Sequence, residues 1–359
     1  MPIIILLVHR AGHQRQSLPA LLGRTKLEVK PLSDIMQLQD VLNCYAANLK
    51  SVEEHMEEYL HSEILLIPQV SNYLISSGGK RFRPLLLLIA SDFCGYKGKN
   101  HYPMSAVIEF IHTASLLHDD VVDHANTRRG KEAANNVWGN SASVLVGDFL
   151  YSKSFKLMAD YGNFSIVKLL STTTNTMAEG EVLQLMKCGD INITEKDYLS
   201  VVEKKTAILI SAACAVGGIL ADAPEEKVSA LTKFGIRLGM AFQITDDTLD
   251  YVAVEDEFGK AIGKDIEEGK ITLPLIYTLK KCSPEEKRVI KKIVKSDDPD
   301  VEDIRKIVSL IEKYEGIEYA LNKAKTYIDE GKALLEPFEN SKAKASLLTI
   351  ADYIIERKL

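Results

Sequence analysis

The chain has 359 residues, 46% of them hydrophobic and 26% charged, with a formal net charge of −6 at pH 7. These values exclude a disordered or fibrous protein and describe an ordinary soluble globular chain, long enough for one large domain or two. With no global basic excess nothing draws it to nucleic acid, so affinity for an anionic ligand has to come from local groups of Lys and Arg.

Residues 1–32 carry Arg10, Arg15, Arg24 and Lys26 and no acid before Glu28. Their apolar run is short and no charged region precedes it, which argues against secretion; an organellar targeting segment and a disordered extension both stay open. From Ser33 apolar residues recur every three or four positions, as in "DVLNCYAANLKSVEEHMEEYL" at 40–60, and no strand alternation flanked by hairpin turns is found. One all-α domain is predicted over 33–359. Its longest apolar runs, such as "PLLLLIA" at 84–90, fall far short of the ~20 residues of a membrane span, so an integral membrane protein is not expected. The five cysteines are scattered, odd in number and without metal-ligand spacing, which suits reduced thiols in the cytoplasm.

The first basic cluster is "GGKRFRP" at 78–84, where paired glycines allow close backbone approach and Lys80 and Arg83 can turn toward one anion. Next comes "IHTASLLHDDVVDHANTRRGK" at 111–131. On a helix Asp119 and Asp123 stack one turn apart, with Asp120 roughly 100° round. Three carboxylates this close resist ionisation unless a cation neutralises them, and all-oxygen ligation selects a hard ion such as Mg2+, which takes one or two carboxylates plus substrate phosphates. His112, seven residues before Asp119, shares its face, while His118 reads as structural. Ala114 and Ser115 are small and lie about one turn before Asp119. Ile111, about 12 Å along the axis, is the next obstruction on that side. Phe149, Phe155 and Met158 in the following helix, "VLVGDFLYSKSFKLM", are candidates for a deeper floor.

Thr194 with Asp197 forms a capping-box variant, and Ser283, Pro284 and Glu286 combine a cap, a first-turn proline and a box partner. Between them lie "KKT" at 204–206, the second acidic motif "GMAFQITDDTLDY" with Asp246, Asp247 and Asp250, and "GKAIGKDIEEGK" at 259–270. The acidic loop "SDDPDVED" at 296–303 has no basic partner and reads as a solvated turn with helix caps. Two motifs of matching spacing on apolar helices, with four basic clusters, describe a platform for metal-bound diphosphate.

These residues carry a resemblance. From about 35 to 355 the chain resembles the trans-isoprenyl diphosphate synthases, and "IHTASLLHDDVVD" looks like their long-chain polyprenyl branch. The resemblance implies the isoprenoid synthase fold, a helical bundle around a central cavity, and a homodimer. It implies two substrates side by side, an allylic diphosphate (farnesyl or geranyl diphosphate) and isopentenyl diphosphate. Three Mg2+ ions would bridge the first to Asp119, Asp123 and Asp246, with Asp120, Asp247 and Lys205 completing the catalytic set. Arg128, Lys205, Lys260 and Lys270 match residues that hold the allylic diphosphate, and Thr206 and Gln243 match neighbours that orient it. Lys80, Arg83, His112 and Arg129 match the isopentenyl diphosphate site. In such an enzyme the allylic C–O bond ionises, the isopentenyl double bond attacks the cation, and a proton is lost, so no protein nucleophile is needed. Small residues at Ala114 and Ser115 accompany long products, here about seven to ten isoprene units. The alternatives are a shorter-chain geranylgeranyl or farnesyl diphosphate synthase and a non-catalytic subunit of a heteromeric synthase.

Overall fold

Helix α1 (Leu38–Tyr59) begins where the Asp40 carboxylate accepts the Gln37 backbone N–H at 2.9 Å, closing a capping box. The computed structural model describes residues 36–76, 81–252, 263–296 and 299–356; the extension 1–32, Lys80 and Lys260 lie outside them. After α1 come α2 (Leu66–Ser76), α3 (Phe82–Phe93) and α4 (His101–Val122), then α5 (Ala134–Trp138), α6 (Asn140–Tyr161), α7 (Phe164–Lys187) and α8 (Glu195–Val202). A π-helical turn (Glu203–Ala207) runs into α9 (Ile208–Leu220), followed by α10 (Glu225–Leu249), α11 (Lys264–Glu267), α12 (Leu273–Lys281), α13 (Pro284–Val294), α14 (Val301–Lys313), α15 (Gly316–Leu335) and α16 (Lys342–Glu356). Residues 36–359 form one compact unit.

The predicted caps are present. Thr194 Oγ1 accepts the Asp197 N–H at 3.1 Å and Ser283 Oγ accepts the Glu286 N–H at 3.2 Å. Asp300, from the proline-containing loop, caps α14 by accepting the Asp303 N–H at 2.8 Å.

The core gathers on α3, α4, α9 and α10. Helix α9 is apolar all round, with Leu209 through Gly218 buried, so it has to be enclosed on every side. It packs against α3 and α10, and α4 lies between α3 and α6. Glycines set the approach: a Cβ at Gly217 would lie 2.7 Å from that of Ala90, and one at Gly235 only 2.5 Å from Ser211 Cα. These helices therefore meet backbone to backbone, which holds the functional ends of α4 and α10 in register.

One local feature departs from the all-helical expectation. Strands β1 (Thr127–Arg128) and β2 (Lys131–Glu132) form a minimal antiparallel hairpin. Arg129 (φ 52°) and Gly130 (φ 75°) form its two-residue loop, both left-handed as a type I′ turn requires. Two residues per strand give no alternation to read in a sequence. Among the described residues, no helix is long and apolar enough to cross a membrane.

Candidate active site

The first acidic motif closes α4, whose upstream turns are almost wholly buried. Each of its aspartates meets a cation from a different segment. Lys205 of the π turn stands 3.5 Å from Asp119, and Lys270, after α11, donates to Asp123 at 2.8 Å. Arg128 of β1 donates to Asp120 through Nε at 2.9 Å and through a second, shorter bond from Nη2. Burial raises the Asp119 pKa above the ordinary carboxylate value, aided by the charge of Asp123 and opposed by Lys205. Burial works against charge on Arg128 too, but the bond and charge of Asp120, with Asp119 and Asp123, hold its pKa above the usual value.

The middle aspartate differs from its neighbours. Asp120 has no accessible surface, and its second oxygen, Oδ2, is buried without a hydrogen-bond partner among the described residues. The 100° offset read from the sequence thus turns Asp120 inward to anchor Arg128, while Asp119 and Asp123 remain partly exposed. The second motif, on α10, repeats this division. Asp246 and Asp250 are partly exposed, whereas Asp247 is buried and accepts from Tyr198 at 2.6 Å and from Gln243 Nε2 at 2.6 Å. Burial lifts Asp247 to about 6, against those two hydrogen bonds.

The π turn explains how Lys205 and Thr206 reach this site. A single wide turn inside a helix re-aims its side chains and is frequent at functional positions. Two glycines let neighbours close upon it. A Cβ at Gly180 of α7 would lie 2.9 Å from the Lys205 backbone N, and one at Gly239 of α10 would lie 2.4 Å from Ala207 Cα. Across the first contact Lys205 donates to Glu181 at 2.7 Å; across the second Thr206 donates to Gln243 at 2.9 Å. Tyr198, Lys205, Thr206, Gln243, Asp247 and Lys270 line one cavity of about 150 Å³, whose apolar wall includes Val202 and Ile271.

Guanidinium groups gather beside the motif. Burial lowers Arg83 to about 10, and its Nε is buried without a hydrogen-bond partner among the described residues. Burial and then Arg83, Arg129, Arg128 and Arg81 hold the pKa of His112 well below its ordinary value, so its imidazole is neutral. On the chain-length side, Ala114 and Ile111 have no accessible surface and belong to the core. Ser115 is partly exposed and donates to the His112 carbonyl at 2.8 Å. Of the floor candidates on α6, Met158 is buried, Phe149 partly so, and Phe155 is 46% exposed. His118 packs on α6, 3.2 Å from the Val144 carbonyl.

Sequence reasoning passed over several members. Glu181, lifted to about 7 by burial and Asp119, pairs with Lys205; Asp265, raised by burial and by Asp247 and Asp250, and Glu268, which accepts from Lys270 at 2.7 Å, complete the acidic lining. The legible signal was small: Gly180 beside Glu181, and Asp265 and Glu268 inside a cluster read only for its lysines.

The residues fit magnesium. The donors are hard carboxylate oxygens from two acidic motifs, of which Asp119, Asp123 and Asp246 are partly exposed. Among the described residues no group of three or more His, Cys, Asp or Glu side chains is placed to hold a metal ion by itself. Mg2+ needs none, because it keeps waters and takes substrate phosphate oxygens beside one or two carboxylates.

The family described as Polyprenyl synthetase matches residues 65–311. Octaprenyl diphosphate synthase of Escherichia coli (strain K12) is 38% identical over 322 residues, which cover 90% of this chain and 99% of that one. The crystal structure of a decaprenyl diphosphate synthase from Rhodobacter capsulatus is 40% identical, with a TM-score of 0.85 over 89% of this chain and 99% of that one. A polyprenyl synthase from Caulobacter crescentus CB15, solved with calcium and isoprenyl diphosphate, is 36% identical with a TM-score of 0.86, over 90% of this chain and 98% of that one.

Proposed function

The chain belongs to the polyprenyl synthetase family, and from that premise we propose that it extends an allylic diphosphate with isopentenyl diphosphate to a long all-trans polyprenyl diphosphate. One observation carries the site: three cations from three separate segments, Lys205, Arg128 and Lys270, converge on the three aspartates that end α4. Charges of both signs held this close suit a ligand that brings phosphate oxygens and divalent metal together.

Lys205, Arg128 and Lys270, with Lys260, hold the allylic diphosphate, and Thr206 and Gln243 orient it. Asp119, Asp123 and Asp246 are the metal-facing carboxylates, and Asp120 and Asp247 fix the side chains around them. Mg2+ held there supplies positive charge at the departing diphosphate. The cations of the chain stabilise that same charge as the allylic C–O bond breaks, and the buried walls keep water from the carbocation. Lys80, Arg83, His112 and Arg129 bind isopentenyl diphosphate, whose double bond forms the new C–C bond and whose proton leaves with the released diphosphate. Small, partly exposed Ser115 leaves the first turn below the reacting carbon open, with Ala114 packed in the core behind it, which favours about seven to ten isoprene units. Both aspartate motifs are intact, which weighs against a non-catalytic subunit.

The exposed residues Leu145 and Phe155 on α6 and Val182, Leu185 and Met186 on α7 support assembly as a homodimer. All five thiols are free, in keeping with the cytoplasm. The test is incubation with farnesyl diphosphate, labelled isopentenyl diphosphate and Mg2+, followed by product sizing. Extension past C20 that stops on adding a chelator is the expected result; no extension by folded protein refutes the activity, and arrest at C20 refutes the long-chain reading.

A further inference from the structure

Glu109 belongs to none of the motifs above. It lies on α4 three residues before His112, between Ile108 and Phe110, which have no accessible surface, and is itself only 6% exposed. A carboxylate in such surroundings needs partners. Arg81 supplies the first: its Nη1 donates to Glu109 at 3.0 Å, its Nη2 donates to the Ile75 carbonyl at 2.7 Å, and its Nε lies 3.4 Å from Glu53. One guanidinium thus ties the end of α2 and the start of α3 to α4. Arg81 does this from a left-handed backbone (φ 46°), a conformation a bulky residue adopts only when its surroundings impose it.

The charge of Glu109 also acts on two further arginines. Burial lowers the pKa of both Arg83 and Arg129; Glu109 is the leading opposing influence on each, while Arg129 works against Arg83 and Arg81 works against Arg129. Left to themselves, three guanidinium groups around neutral His112 would repel one another and splay toward water.

We infer that Glu109 is a positioning residue for the second diphosphate site, the shared counter-ion that keeps Arg81, Arg83 and Arg129 gathered before isopentenyl diphosphate arrives. This rests on the assignment of Arg83 and Arg129 to that substrate. A carboxylate repels a diphosphate, so Glu109 acts through the arginines and not by contact with the ligand.

The experiment compares Glu109→Gln, Glu109→Asp and Arg129→Gln for the KM of each substrate, kcat and Tm. Glu109→Gln keeps the shape and an acceptor for Arg81 but removes the charge. Its KM for isopentenyl diphosphate rises about tenfold, while its KM for farnesyl diphosphate and its kcat stay within about twofold. Glu109→Asp, which restores the charge at shorter reach, recovers most of that loss, and it carries the test alone if the glutamine variant does not fold. An unchanged KM for isopentenyl diphosphate, an equal rise for both substrates, or a fall in Tm with no change in either KM overturns the inference. Arg129→Gln separates the two layers. If it leaves the KM for isopentenyl diphosphate untouched, the site assignment is wrong; if it raises that KM and Glu109→Gln does not, only the role of Glu109 is wrong.

Discussion

Gly239→Ala puts the architecture of the π turn to a quantitative test. Gly239 stands on α10 one turn before Gln243, and a Cβ there would lie 2.4 Å from Ala207 Cα and 2.8 Å from its Cβ. Ordinary contact begins near 3.4 Å, so α10 and the turn must part by about 1 Å. Two effects compete. Alanine in place of a helical glycine gains up to about 1 kcal/mol of helix stability, and overpacking costs about 1–3 kcal/mol. The clash prevails, because the obstructing atoms are backbone and Cβ and cannot swing aside. Net destabilisation of about 1–2 kcal/mol lowers Tm by a few degrees. The larger effect is on rate. Thr206 adjoins Ala207, so a 1 Å parting stretches its 2.9 Å bond to Gln243 and disturbs the 2.6 Å bond from Gln243 to Asp247. A misplacement of that size lowers kcat/KM on the order of 10²-fold. Gly218→Ala is the control, because its Cβ meets the flexible Val228 Cγ2 at 3.1 Å and Leu231 Cδ1 at 3.4 Å, far from the site. Steady-state elongation and thermal melts of both variants decide it. If Gly239→Ala melts at or above the parent temperature with undiminished kcat/KM, the close approach has no functional role.

Ser115→Phe places an aromatic ring about 6 Å along the helix axis from Asp119, on its partly exposed face. Products shorten to C20 or below, read by chromatography of the hydrolysed prenols, with initial rate on farnesyl diphosphate changed less than about tenfold; unshortened products mean that the chain runs elsewhere. Two of the raised carboxyls, Asp247 and Glu181, predict a pH dependence. Asp247 lies at about 6 against 3.8 for an unperturbed aspartate, and Glu181 at about 7 against 4.5. The folded chain therefore holds protons that the unfolded chain has released, so their contribution to stability is complete below about pH 4 and is lost as pH rises through about 7. Melts of metal-free protein should fall across that window, and Asp247→Asn should flatten the fall by roughly 1–3 kcal/mol; equal slopes for both proteins would remove Asp247 as the cause.

The fold class and the acidic motifs were legible because each is written in local spacing. The 3.6-residue period marks the helices, and i, i+4 aspartates mark one face wherever the helix packs. The inward turn of Asp120 and Asp247 follows from the same geometry. What escaped depends on where separate elements meet. Glu181 and Tyr198 are ordinary members of α7 and α8 until Gly180 and the π turn bring them to Lys205 and Asp247, and no pattern within either helix records that approach. Glu109 sits in an apolar stretch like an isolated error, and its meaning lies in arginines 20 to 28 residues away on either side, gathered by a left-handed residue and a two-residue hairpin. The local backbone preferences broken at Arg81 and Arg129 are overridden by tertiary structure at the site.

The pairing of acids with bases at the end of α4 has a consequence for binding order. On the proposed assignment, Asp119 and Asp123 can face divalent ions fully only as Lys205 and Lys270 turn from them, and those cations leave a half-buried carboxylate only for another anion. Under the proposed function, phosphate oxygens are that anion. Lys270 illustrates the constraint: burial works against its charge, yet Glu268 and Asp123 raise its pKa, so it stays cationic and tied to them, and on the proposed reading a diphosphate takes their place. Each ligand therefore removes the obstacle to the other, and linkage makes the assistance reciprocal. Calorimetry should find Mg2+ alone and a non-reactive allylic diphosphate analogue alone binding at least about tenfold more weakly than either binds in the presence of the other, a coupling of about 1.4 kcal/mol or more. Lys270→Gln, which frees Asp123 of its partner, should bind Mg2+ alone more tightly than the parent while losing most of the coupling. Equal affinities with and without the second ligand would mean that these ion pairs are surface ornaments of the cleft and not the resting form of the diphosphate clamp.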